Sequence, residues 1–238
     1  TYNALVSNAD RAMYRGKKAK KGSVQFFDRS IEHIAAEKSR LEQRLRLAIR
    51  DRRVCCAYQP KVAFRRGEVV GVEALMRWRD EDGIIHAPGG MIDLAVELGL
   101  MDELTHLIVD EITQVQHHLD AAFGSDITTS LNIAAKQATN IPFMQSLVDA
   151  LAGSGRARAY MIEITEEALL AKTEFQSHVL PLLREAGVRV AIDDFGVGYS
   201  SLATLADVTA DEVKVDRSFI TSIHSRPRSQ SILKAIES

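Results

Sequence analysis

From position 54 onward, short runs rich in Val, Ile and Leu alternate with stretches long enough for a helix. That alternation is the strongest constraint on the fold. Parallel strands need crossovers of a dozen or more residues, so repeated strand–helix units give a parallel sheet covered by helices. The apolar runs predict strands over 54–62, 68–78, 127–133, 160–164, 188–192 and 212–215. Helices are expected over 91–98 and 101–121, over 142–151 with Pro142 in the first turn, and over 175–186 with Gly187 as the stop. A further helix is expected over 229–236. The first two strands are joined only by the turn around Arg65, Arg66 and Gly67, so they pair antiparallel. Six strands are too few for a closed eight-stranded barrel. The expectation is an open sheet, or a barrel without its last quarter.

Before position 54 the pattern is helical from about 30 to 53. Ile31, Ile34, Leu41, Leu45, Ala48 and Ile49 recur at three- and four-residue steps, with charges between them. This reads as a linker helix docked on the strand–helix domain after it. Residues 8–21 read as a helix end with a solvated basic stretch, and 23–27 as a short strand. The chain opens on Thr1 rather than Met, which suggests a piece of something longer.

The net charge of −2 provides no basic field for a nucleic acid polymer. No apolar run approaches bilayer-spanning length, and no signal-peptide pattern opens the sequence. Cys55 and Cys56 are neighbours on an expected strand and point to opposite faces. They read as small buried residues in a reducing, cytoplasmic compartment.

Polar residues interrupt the apolar strands at chosen places. Asp193 and Asp194 stand side by side where the strand over 188–192 ends. Two adjacent carboxylates repel, and a divalent cation relieves that cost. The same pair also reads as an ordinary acidic turn. Glu73 lies among Val69, Val70, Val72 and Leu75, where it reads as a site acid or as a partner of Arg77 or Arg79. Asn132 reads as a ligand or as an amide satisfying backbone, and Glu163 as a ligand or a helix-start acid. Lys214 reads as a site cation or as a partner of Asp216. Taken together, five strands each carry an ionisable or amide group, and buried charges are rarely unpaired. Convergence of Glu73, Asn132, Glu163 and Asp193 on one cation satisfies them all, with Asp194 on a second cation and Lys214 nearby. An all-oxygen set favours Mg²⁺ or Mn²⁺, and two such ions suit attack of water on a phosphodiester.

At these residues the sequence resembles the EAL-domain phosphodiesterases of cyclic di-GMP. The resemblance is carried by Tyr58-Gln59-Pro60, Glu73-Ala74-Leu75 with Arg77-Trp78, Ala95-Val96-Glu97-Leu98-Gly99-Leu100, the Asn132 segment, Glu163-Ile164-Thr165-Glu166, the run from Asp193 to Leu202, and the run from Lys214 to Ile220. It implies an α/β fold, a modified TIM (β/α)8 barrel whose first strand is antiparallel, here truncated before its last strands. It implies that Glu73, Asn132, Glu163 and Asp193 hold one Mg²⁺ or Mn²⁺ ion and Asp194 a second. Lys214 would hold or polarise the attacking water, and Glu166 would support the loop after Asp194. Gln59, Leu75 and Arg77 match positions that touch the dinucleotide. The product would be linear pGpG, and the family's homodimers form near the loop after Asp194. Residues 9–14 with the Lys-rich stretch behind them resemble the end of a GGDEF (diguanylate cyclase-like) domain. This divides the chain into a GGDEF remnant and linker over 1–29 and an EAL domain over 30–238, as in bacterial signalling proteins.

Two departures bear on function. Val197 stands where Thr is commoner, and the later Ala-Glu-Gly-Val-Glu and Gln-Gly-Tyr-like segments of the family do not occur before Ser238. The first glutamate of the former is a metal ligand in the family. A metal-dependent phosphodiesterase and an inactive receptor that binds cyclic di-GMP are therefore both open at this point, with barrel chemistry of another kind as a third reading.

Overall fold

The computed structural model describes residues 2, 5–7, 9–10, 13–14, 29–165, 174–196 and 210–221. The strand expected over 23–27 and the helix expected over 229–236 lie outside the described residues. So does most of the basic stretch.

Helix α1 (Arg29–Arg50) precedes the antiparallel pair β1 (Val54–Ala63) and β2 (Glu68–Arg79). A two-residue strand β3 (Ile85–His86) lies against the end of β2. Then come α2 (Met91–Leu98), α3 (Met101–Phe123), β4 (Thr128–Ile133), α4 (Ala135–Ala138) and α5 (Ile141–Gly153). β5 (Tyr160–Thr165), α6 (Leu180–Ala186), β6 (Arg189–Phe195), β7 (Glu212–Val215) and α7 (Arg217–Thr221) follow, with a short 3-10 turn over Ala157–Ala159 before β5. The sheet order is β1-β2-β4-β5-β6-β7, with β2, β4, β5, β6 and β7 parallel, as the strand–helix alternation predicts, and β3 antiparallel to β2. The segment expected as one helix over 175–186 differs. Phe175–Val179 winds as a π-turn before α6, whose second residue is Pro181. Proline has no N–H to donate to the preceding turn, which widens instead. Gly187 closes α6 in the left-handed region at φ 82°, where a Cβ would be strained.

The two-residue period of the strands divides the sheet into two chemically different faces. Ala74, Leu131, Ile133, Tyr160, Ile162, Ile164, Val190 and Ile192 point outward. They form one core with Val109 and Ile112 of α3, Leu147 and Leu151 of α5, and Phe175, Val179 and Leu183. A second cluster seats the C-terminal half of α1. Leu45 and Ala48 are buried, Leu45 packs with Met76 and Trp78 of β2, and the Arg44 guanidinium lies 4.4 Å from the Trp78 ring. Ile34 is 55% exposed, so the linker helix docks through its second half and not along its whole length.

Cys55 and Cys56 are unpaired, and each is half-buried rather than buried as the strand pattern predicts. The reason is that β1 pairs only with β2 among the described residues. Burial pushes the Cys56 thiol up to about 12, and the Glu111 carboxylate adds to the shift.

Two predictions test this packing. Ile162→Ala, at a site with no exposed surface, lowers unfolding free energy by about 2–5 kcal/mol in urea titration; a loss below about 1 kcal/mol would contradict the assigned core. In the native protein at pH 8, iodoacetamide treatment with peptide mass mapping modifies Cys55 ahead of Cys56, because Cys56 is the more strongly shifted toward the unreactive thiol. Equal labelling would refute the burial assigned to Cys56.

Candidate metal centre

The inward face of the sheet carries the polar residues. On β2 the alternation that sends Val72, Ala74 and Met76 into the outer cores sends Glu73, Leu75 and Arg77 inward. On β4 it presents Ser130 and Asn132, on β5 Glu163, on β6 Asp193, and on β7 Glu212 and Lys214. Glu73 lies opposite Ser130, Asn132 opposite Glu163, and Glu163 opposite Ala191, which in turn faces Glu212. One register therefore gathers side chains that are far apart in sequence.

Lys214 is the hub. Its ammonium donates to Glu73 Oε2 at 3.0 Å, Glu163 Oε2 at 2.6 Å and Asp193 Oδ2 at 3.3 Å. The amide nitrogen of Asn132 donates to Glu73 Oε1 at 2.8 Å, so its oxygen is the atom with which it would meet a cation. Burial alone would raise the Glu73 carboxyl, but the hydrogen bonds from Asn132 and Lys214 hold it below the ordinary glutamate range. Burial alone would lower the Lys214 ammonium; its bonds to Glu163 and Glu73 instead hold it above the ordinary lysine range. Glu163 has no exposed side-chain surface. An ionised carboxylate at such a depth is tolerated only when paired and hydrogen-bonded.

The Asp193-Asp194 pair has a structural cause beyond an acidic turn. β6 and β7 pair Ile192 with Val213 and Phe195 with Val215, so both aspartates oppose the single Lys214. This is a β-bulge, a device that redirects a side chain beside a site. Asp194 sits in the left-handed region at φ 53°, uncommon for a residue with a side chain, and its N–H donates to Asp193 Oδ1 at 2.9 Å. Asp193 joins the Lys214 cluster. Asp194 is exposed. Its carboxyl is raised, first by partial burial and then by repulsion from Asp193 and Asp216.

Among the described residues, no three His, Cys, Asp or Glu side chains form a ready-made metal cage. The three carboxylates are spread around the Lys214 ammonium instead. They already enclose a cation, and with the Asn132 amide they form an all-oxygen donor set of the kind that hard divalent ions take. The residues fit such an ion.

The residues expected to touch a dinucleotide lie on β1 and β2. Gln59 is paired with Glu73, Leu75 with Ala57, and Arg77 with Cys55. Arg77 donates to its neighbour's carbonyl, Met76 O, at 2.7 Å. Glu166 and the segment 197–209 after the aspartate pair lie outside the described residues.

Three residues of the cluster, Lys61, Ser130 and Glu212, are not among those that the sequence singles out. Lys61 on β1 donates to Ser130 Oγ, Glu163 Oε1 and Glu212 Oε1, each at 2.8 Å. The sequence offers little signal for them, because Lys61 stands near the end of the strand expected over 54–62 and its partners lie on strands far away in sequence.

Comparison with known proteins agrees with this architecture. The EAL domain family matches residues 42–238. The chain is 34% identical over 233 residues to the cyclic di-GMP phosphodiesterase NbdA of Pseudomonas aeruginosa, covering 98% of this chain and 30% of that protein. It is 33% identical over 238 residues to the bifunctional diguanylate cyclase/cyclic di-GMP phosphodiesterase MucR of the same organism, covering 99% of this chain and 35% of that protein. The chain thus spans about a third of the length of these relatives. Among solved structures, the PaMucR phosphodiesterase in complex with c-di-GMP superimposes with a TM-score of 0.73 at 31% identity, over 83% of this chain and 80% of that one. With the sheet order, the inward acids and the family match in agreement, the chain belongs to the EAL domain family.

Proposed function

We propose that this chain hydrolyses cyclic di-GMP to linear pGpG in a reaction that depends on Mg²⁺ or Mn²⁺. The observation that carries the proposal is the convergence of Glu73, Glu163 and Asp193 on one cationic nitrogen, with Asn132 bonded to Glu73. Glu73, Asn132, Glu163 and Asp193 would hold the first ion, and Asp194 would face the second. Bound there, the ions would supply Lewis-acid activation of water and neutralise charge on the phosphodiester. Lys214, paired with the same acids, orients the attacking water and stabilises negative charge as one P–O ester bond breaks. Gln59, Leu75 and Arg77 line the strands beside Glu73 and would seat the dinucleotide, the Arg77 guanidinium suiting a phosphate. Glu166 would support the loop after Asp194, and pairing of two copies near that loop would be the dimer contact. Residues 1–29 would be the end of a GGDEF-like domain and a linker. Their composition and the alignment of nearly the whole chain with a bifunctional cyclase/phosphodiesterase support that division. The runner-up is a receptor that binds cyclic di-GMP without cutting it.

Two measurements separate these readings. The chain incubated with Mn²⁺ and cyclic di-GMP yields pGpG by chromatography; binding without turnover would establish the receptor instead. Glu73→Ala lowers turnover by more than about 100-fold, beyond what losing an outer partner of a metal ligand does, while far-UV circular dichroism stays unchanged. Wild-type activity in that variant would remove Glu73 from the site.

A further inference from the structure

Two lysines divide the buried Glu163 between them, one per oxygen. Lys214 takes Oε2 and belongs to the acid cluster. Lys61 takes Oε1 from a different strand, β1, and its other partners are Ser130 on β4 and Glu212 on β7. An ammonium has three N–H donors, and each of these three meets an acceptor on a different strand. Lys61 is paired with Gly71, two residues toward the start of β2 from Glu73. A Cβ on Gly71 would stand 3.0 Å from Thr128 O and 3.5 Å from the Lys61 Cδ, so the glycine leaves the space through which the lysine stem runs.

We propose that Lys61 is a positioning residue for the metal site: it holds one oxygen of Glu163 and so presents the other to the cation. The proposal rests on the metal-dependent reading above. A divalent ion drawn to Glu73, Glu163 and Asp193 competes with the Lys214 ammonium for the same oxygens. Lys61 touches neither Glu73 nor Asp193 among its hydrogen-bonded partners, so its hold on Glu163 is compatible with either occupant. Without it, a carboxylate with no exposed surface loses the partner of Oε1 and with it a defined orientation. Outer partners of metal ligands typically contribute 10–100-fold to affinity or activity by fixing the ligand in this way.

The test titrates Mn²⁺ alone into the full chain, read by electron paramagnetic resonance of the free ion, for wild type, Lys61→Met and Lys61→Arg. The expected result is Mn²⁺ affinity about 10–100-fold weaker in Lys61→Met and largely regained in Lys61→Arg. Excess Mn²⁺ should return cyclic di-GMP turnover of Lys61→Met toward wild type, which lost folding would not allow. Unchanged or tighter Mn²⁺ binding by Lys61→Met overturns the proposal. Should Lys61→Met fail to fold, Glu212→Gln carries the same test: it loosens the anchor of Lys61, weaker Mn²⁺ binding supports the proposal and unchanged binding overturns it. A wild type that binds Mn²⁺ but leaves cyclic di-GMP intact sinks the phosphodiesterase reading alone, while the Mn²⁺ titration still decides the role of Lys61.

Discussion

One buried carboxylate organises the concave face of this sheet. Glu163 has no contact with solvent, yet it lies between ammonium groups that reach it from β1 and β7. Taking such a charge out of water is expensive, and only complete pairing makes it tolerable. The pairing draws in the remaining polar residues. Lys214 ties Glu163 to Glu73 and Asp193, and Lys61 ties it to Ser130 and Glu212. Strands β1, β2, β4, β6 and β7 are thereby linked through the central strand β5 by side chains as well as by backbone ladders. An ion-pair network of this kind is weak evidence for stability, because an apolar core of the same volume does as well. Its presence points to chemistry.

The outer and inner faces answer to different demands. Outward residues pack against α3, α5 and α6 and form the helix-covered core. Inward residues are free of that duty and carry charge. The bulge between β6 and β7 adds one departure from regularity where it matters, giving two aspartates to one lysine. The strained backbone of Asp194 accompanies that count. Its carboxyl is raised by partial burial first, and the crowding by Asp193 and Asp216 adds to the shift.

Much of this was legible in the sequence. The strand–helix alternation identifies the parallel sheet, and the short turn at Arg65-Arg66-Gly67 identifies the antiparallel entry. Acids in otherwise apolar strands identify Glu73 and Glu163. What stayed hidden depends on pairing between distant strands. Lys61 reads as one lysine near a strand end until the register sets it against Gly71 and within reach of Glu163, 102 positions away. The bulge is invisible for the same reason, since it is a mismatch between two strands and belongs to neither alone. The widened turn before α6 has its sign in Pro181, which lies inside the single helix expected over 175–186.

The alternation of faces has a consequence for how the chain reaches its native state. In β5, Ile162 and Ile164 enter the helix-covered core and Glu163 enters the polar face. Slippage of that strand by one residue would exchange them, placing a carboxylate among Leu147, Phe175 and Leu183 and an isoleucine among lysines. Such a product fails in its core and in its chemistry together. The charged residues of the inner face thus also fix the alignment of β5, because a one-residue slip is penalised on both faces at once.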